Sequence, residues 1–148
     1  MSENLTISVT EESPSVQAHL AMLQDVIQRM ASNSSSCKSW CITLVSAVLV
    51  IVADKGKPDY AWIALLPAVI FACSDAYYFA LEKGFRETYN KFIEKLHSKS
   101  LISSDLYAIK PQGEMSKHQI DAIKSISIWG FYIPLVLMTY ITKTISIG

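Results

Sequence analysis

The sequence predicts an all-α polytopic membrane protein with about three transmembrane helices, an N-terminal amphipathic helix and a cytoplasmic helical extension of the second span. Three observations predict it. Apolar residues make up 51% of the 148 positions, and mean hydropathy is +0.28, above the usual soluble range. The excess is gathered into three blocks, residues 40–53, 60–81 and 126–141, each nearly free of charge, while the remainder is as polar as an ordinary surface. Segregation of that kind is what a bilayer imposes.

Residues 1–12 carry no periodicity and read as a mobile tail. Ser13-Pro14 supplies a cap and a first-turn proline for an amphipathic cytoplasmic helix over 13–36, with Leu20, Leu23, Ile27 and Met30 on one stripe. Asn33-Ser34-Ser35-Ser36 reads as a joint or a continuous bend into the next helix. Residues 37–82 form a transmembrane hairpin. Its first span, 40–53, gives about 21 Å of helix, short for a core of about 30 Å, so Lys38 snorkels and Trp40 sits at the headgroups. Ser39, Thr43 and Ser46 give that helix a small face suited to close packing.

The polar turn 54–59 reverses the chain, and 60–81 provides about 33 Å, a full crossing that Pro67 is expected to kink. Leu81, Phe85, Phe92 and Leu96 carry the helical pattern onward to about His97. A cytoplasmic helix-loop-helix occupies 83–125, its second helix opened by a capping box at Ser116 and Gln119. The third transmembrane helix and tail take 126–148, with Trp129, Tyr132 and Tyr140 as interfacial aromatics and Pro134 as a kink.

Topology follows from the basic residues. Ten lie before the first span or between the second and third, against three on the other side: Lys55, Lys57 and Lys143. The N-terminus and segment 82–125 are therefore expected in the cytoplasm and the C-terminus outside. The first 37 residues lack the basic start and apolar core of a signal peptide, so the first span is expected to serve as an uncleaved anchor.

Thirteen basic residues balance thirteen acidic ones, which gives no case for wrapping a nucleic-acid backbone with the whole molecule. Cys37, Cys41 and Cys73 have no zinc spacing and read as reduced packing residues; His19, His97 and His118 are scattered and read as solvated or capping. No metal or cofactor is expected. No nucleophile elbow, zinc-protease helix, phosphate loop or paired carboxylate cleft is present, so catalysis is not expected.

Asp75 stands inside an apolar span, where a carboxylate costs on the order of 2.5–3.5 kcal/mol. Two readings stand. It lines a water-filled path or holds a gate, or it makes a structural hydrogen bond to Ser74, a tyrosine or another helix. Asp75, Tyr78, Glu82, Arg86 and Tyr89 step along one helix face from mid-membrane into the cytoplasm. They form a candidate gating or coupling stripe, or a device that fixes helix register. Lys83, Lys91, Lys95, Lys110, Lys117 and Lys124 are candidate contacts for a ligand or partner, with anionic lipid, a nucleotide or a nucleic acid as the chemistries that suit them.

Two stretches carry a resemblance. Gln24 to Ser34 with Lys38-Ser39-Trp40, and Asp75-Ala76-Tyr77-Tyr78 with Glu82, Phe85-Arg86 and Tyr89, together resemble small bacterial multi-pass proteins. These are similar to the membrane effectors of anti-phage defence operons that accompany nucleotidyltransferases, such as the Hailong type. The resemblance implies a homo-oligomer in the bacterial inner membrane, a pore-forming effector or ion channel held shut until infection and opened by gain or loss of a cytoplasmic ligand, with abortive infection as the outcome. It also implies a nucleotide, nucleic acid or nucleotidyltransferase as cytoplasmic partner. The third span departs from the simplest two-span effectors. The alternative is a non-conducting membrane anchor or regulatory subunit for a soluble partner.

Overall fold

The computed structural model describes residues 10–145, so most of the expected N-terminal tail lies outside the described residues. Four α-helices and two short 3-10 helices account for the architecture: α1 (Pro14–Lys55), a 3-10 helix (Pro58–Ala64), α2 (Leu65–His97), a 3-10 turn (Ser103–Asp105), α3 (Met115–Ile123) and α4 (Ile126–Ile145). The fold is all-α, and the helices Pro14–Lys55, Pro58–His97 and Ile126–Ile145 are long and apolar enough to cross a membrane.

Pro14 opens α1 at the position where its missing N–H costs nothing. The Ser13 hydroxyl does not cap the helix; it accepts the Thr10 N–H at 3.0 Å instead. The helix then runs unbroken through the serine cluster at 34–36, because Ser34 is taken up in a side-chain bond described below and the others leave the backbone ladder intact. At its far end Gly56 adopts φ +56°, a left-handed conformation open to glycine, and the N–H groups of Gly56 and Lys57 take up the carbonyls of Ala53 and Val52. The chain turns back at once through the 3-10 helix. Pro67 therefore stands in the first turn of α2, not in mid-helix as expected, where a proline is tolerated.

α1 and α2 pack as a long antiparallel hairpin with two separate cores. One joins Cys41, Val45, Leu49 and Val52 of α1 to Ala64, Ala68, Ala76 and Ala80 and to Ile128, Tyr132 and Leu135 of α4. Alanines on the α2 side let the backbones approach. The small face expected to do this on α1 is turned outward: Ser39, Thr43 and Ser46 are exposed. The Ser39 and Thr43 hydroxyls donate back to carbonyls one turn earlier, at 3.3 and 2.9 Å. Tyr132 is likewise a core residue rather than an interfacial aromatic, whereas Trp129 and Tyr140 are exposed.

The second core, Val16, Phe92, Leu96 and Leu101 with Leu20 and Leu106, closes the polar end of the hairpin, here called the head. Around the first core the outward faces stay apolar: Val50, Leu66 and Val69 are each more than 60% exposed. Such surface is stable against lipid or protein and not against water. α3 begins two residues ahead of the expected start, with Glu114 rather than Ser116 at the cap, and the Ser116 hydroxyl donates to the Glu114 carboxylate at 2.9 Å.

Candidate functional site

Helical spacing puts Ser34, Cys37, Lys38 and Cys41 on one face of α1, and this face meets Asp75 on α2. The Asp75 side chain is fully buried, with a hydrogen bond to one oxygen and an ion pair, though no hydrogen bond among the described residues, at the other. The Ser34 hydroxyl donates to Oδ1. The Lys38 ammonium lies 2.6 Å from Oδ2, and 3.4 Å from the Ser34 Oγ. A carboxylate desolvated among alanines and cysteines is tolerable when a charge and a hydroxyl replace its water. Lys38 thus turns inward to Asp75 rather than snorkelling outward alone. Of the partners anticipated for Asp75, another helix supplies them; Ser74 donates to its own helix at Ile70, 3.0 Å away. Beside this pair the hydroxyl of Tyr132 on α4 is buried without a hydrogen-bond partner among the described residues.

Asp75 and Tyr89, at the two ends of the stripe, both reach α1. The Tyr89 hydroxyl accepts from the Gln24 amide at 3.4 Å. Between them Tyr78 is half-buried, and the Arg86 guanidinium grips Glu82 within 2.8 Å. The Gln24 and Tyr89 end opens into a polar cleft of about 570 Å³ between α1 and α2, lined also by Asp25, Gln28, Arg86 and Asn90.

The six lysines do not gather in one patch. Lys83 lies 4.0 Å from Asp121 and over the Phe79 ring, Lys91 pairs with Glu87 at 2.7 Å, and Lys95 pairs with Asp105 at 2.7 Å. The first joins α2 to α3, the second stays within α2, and the third ties the 3-10 turn to α2. Lys110, Lys117 and Lys124 are exposed and have no ion-pair partner among the described residues.

The head holds residues that sequence reasoning passed over. His19 is 1% exposed rather than solvated. Its ring lies against Phe92, and its Nδ1 accepts the N–H of Tyr107 at 2.9 Å, so this nitrogen is the unprotonated one. Burial pushes its pKa below the ordinary 6.5, against the nearby Asp105 charge. Burial acts to raise Asp105, but Lys95 and the Ile102 N–H outweigh it and hold the acid below its usual range. Thr88 donates to the Lys110 carbonyl at 2.7 Å and accepts the Gln112 N–H at 3.1 Å. Gly84 makes this possible: a Cβ there would stand 2.9 Å from the Cβ of Pro111. The one available signal was spacing: His19, read with the polar side of α1, lies three residues after Val16 and four before Leu23, and all three are buried.

Cys37 and Cys41 pack as expected, whereas Cys73 is exposed. No group of three His, Cys, Asp or Glu side chains able to hold a metal occurs among the described residues. Comparisons with family models, curated proteins and solved structures give no match to this chain.

Proposed function

We propose that the chain is an oligomeric, channel-like effector of the bacterial inner membrane that depolarises or permeabilises the membrane under control of a cytoplasmic signal, in anti-phage defence. The observation that carries this reading is the pair of Lys38 and Asp75 at the crossing of two span-length helices, on the same helix as the head. A paired carboxylate keeps the crossing dry and closed; separated, it asks for water. Three spans do not enclose a pore, so conduction requires self-association, for which the outward apolar faces provide the surface.

The signal must bind one state better than the other to move the equilibrium. The polar cleft beside Arg86 and Tyr89 is the candidate receiver, with a nucleotide, a nucleic acid or a nucleotidyltransferase as the candidate signal. No step of this scheme requires catalysis, a metal or a cofactor. The N-terminus and head are cytoplasmic in this reading, as the distribution of basic residues favours.

The test is membrane potential, read by dye fluorescence in bacteria on induced expression, with Asp75→Asn expressed at the same level. The reading expects depolarisation that Asp75→Asn alters while membrane insertion is kept. An unchanged potential during phage challenge in the native operon refutes conduction and leaves the non-conducting anchor, in which the head docks a soluble protein.

A further inference from the structure

α3 is short and largely polar, yet it exposes apolar side chains that no other element covers. Ile120 and Ile123 are each 52% exposed, and just beyond the helix Ile126 is 88% and Trp129 51% exposed. At 3.6 residues per turn Ala122 and Met115 face the core, Ile120 and Ile123 project to one side, and Lys117 and Lys124, two turns apart, share the adjoining side. An apolar flank next to a row of lysines is the pattern of a helix lying in a membrane interface.

Beneath α3 is an apolar groove of about 390 Å³ between α2 and α4, lined by Ala72, Cys73, Tyr77, Ile123, Trp129 and Tyr132. α3 closes one side of it with Gln119 and Ile123, the latter from the apolar flank just described. A helix about 10 Å across would exhaust such a volume in roughly one turn, whereas a single hydrocarbon chain fits along it. Lys124 directly follows the lining residue Ile123, and neither it nor Lys117 has an acidic partner among the described residues.

We propose that this groove binds one acyl chain of an anionic phospholipid from the leaflet on the head side, with Lys117 and Lys124 meeting its phosphate headgroup. The site rests on the membrane placement adopted above and not on conduction. The carbon chain takes over the exposed surface of Cys73, Tyr77 and Trp129, and the lysines select charge.

Full-length protein extracted in mild detergent and examined by native mass spectrometry against phosphatidylglycerol and phosphatidylcholine tests the site. Preferential retention of phosphatidylglycerol is expected. Lys117→Gln with Lys124→Gln should weaken that lipid about 25-fold, from the roughly fivefold due to each lysine near an anionic surface, and leave phosphatidylcholine unchanged. Cys73→Trp, at an exposed position, should displace both lipids. Equal retention of the two lipids, or a lysine variant that behaves as wild type, overturns the proposal. So does efficient disulfide crosslinking of Cys73 to Cys73 in oxidised membranes, which would place a second copy in the groove. A chain that does not sediment with membranes refutes the membrane placement itself, whereas loss of depolarisation with lipid selectivity intact refutes the effector reading alone.

Discussion

The two ends of the hairpin both bury polar side chains, but they satisfy them differently. Between the apolar segments, Asp75 is met by the side chains of Lys38 and Ser34. In the head, His19 and Thr88 are met by the backbone of residues 107–112. The difference comes from where unpaired backbone lies. Helices in the apolar region close their own ladders, so only a side chain there needs a partner. The head is crossed by a loop whose N–H and C=O groups have no ladder, and buried side chains serve it. The first arrangement fixes one helix against another; the second straps a loop to a helix.

The largest test of this contrast is Lys38→Met, which leaves Asp75 buried without its charge partner. A loss of about 3–5 kcal/mol is expected in denaturant unfolding of the purified protein in micelles. The double replacement Lys38→Met with Asp75→Leu should recover most of it, since an apolar pair of similar volume needs no compensation. Recovery would show that the pair is not retained for stability.

Next in size is the strap. Thr88→Val takes the hydroxyl donor from the Lys110 carbonyl and leaves the Gln112 N–H with only its bond to the Gly84 carbonyl, at 3.1 Å, and Gly84→Ala drives a methyl against Pro111. Each is expected to cost about 1–3 kcal/mol and to speed proteolytic cutting between residues 98 and 114, leaving the Lys38 and Asp75 crossing intact. Loss of both regions at once would show a single cooperative unit.

A smaller effect is expected from acid. Because the folded pKa of His19 lies below 6.5, its contribution is complete above about pH 6.5 and falls as pH drops below it, the unfolded head taking up the proton more readily. Asp105, held below its ordinary 3.8, keeps its contribution until pH falls under that value. The protection factor of the Tyr107 amide, that is, its exchange relative to the intrinsic rate at each pH, should therefore fall from pH 6.5 downward, and His19→Gln should flatten the dependence. The Asp105 charge beside His19 will moderate the slope.

The smallest effect belongs to Arg86→Ala. Its pair with Glu82 is an exposed i,i+4 contact with Arg86 61% accessible, worth about 0.3–0.5 kcal/mol. Thermal unfolding should barely move. Any larger change in membrane potential would then report the cleft and not the fold.

The helices were legible because apolar runs and helical stripes are local properties: α2 reaches His97 as its stripe requires. What joins them was not. Asp75 announced itself as an anomaly in an apolar run, but its partners lie 37 and 41 positions away on a helix whose register no local pattern sets. Lys38, near a span end, reads alone as a snorkelling residue. Ser34 sat in a serine cluster that reads as a joint or a bend, and only its burial against Asp75 shows what holds it in the helix. His19 and Thr88 were missed for a related reason: their partners are main-chain groups, which look alike in every sequence. The lysines show the reverse error, since a shared sign suggested one surface and the fold distributed them between two roles.

The turn at the closed end of the hairpin carries Asp54, Lys55, Lys57 and Asp59, and these charges cancel. Gly56 makes the reversal tight, and the 3-10 helix Pro58–Ala64 carries the chain from it directly into α2. A helical hairpin that threads this turn through a bilayer moves no net charge along the transmembrane field, which otherwise weighs about 2.3 kcal/mol per elementary charge for each 100 mV. Insertion of the hairpin is therefore neither driven nor opposed by the very potential that the assembled protein is proposed to discharge.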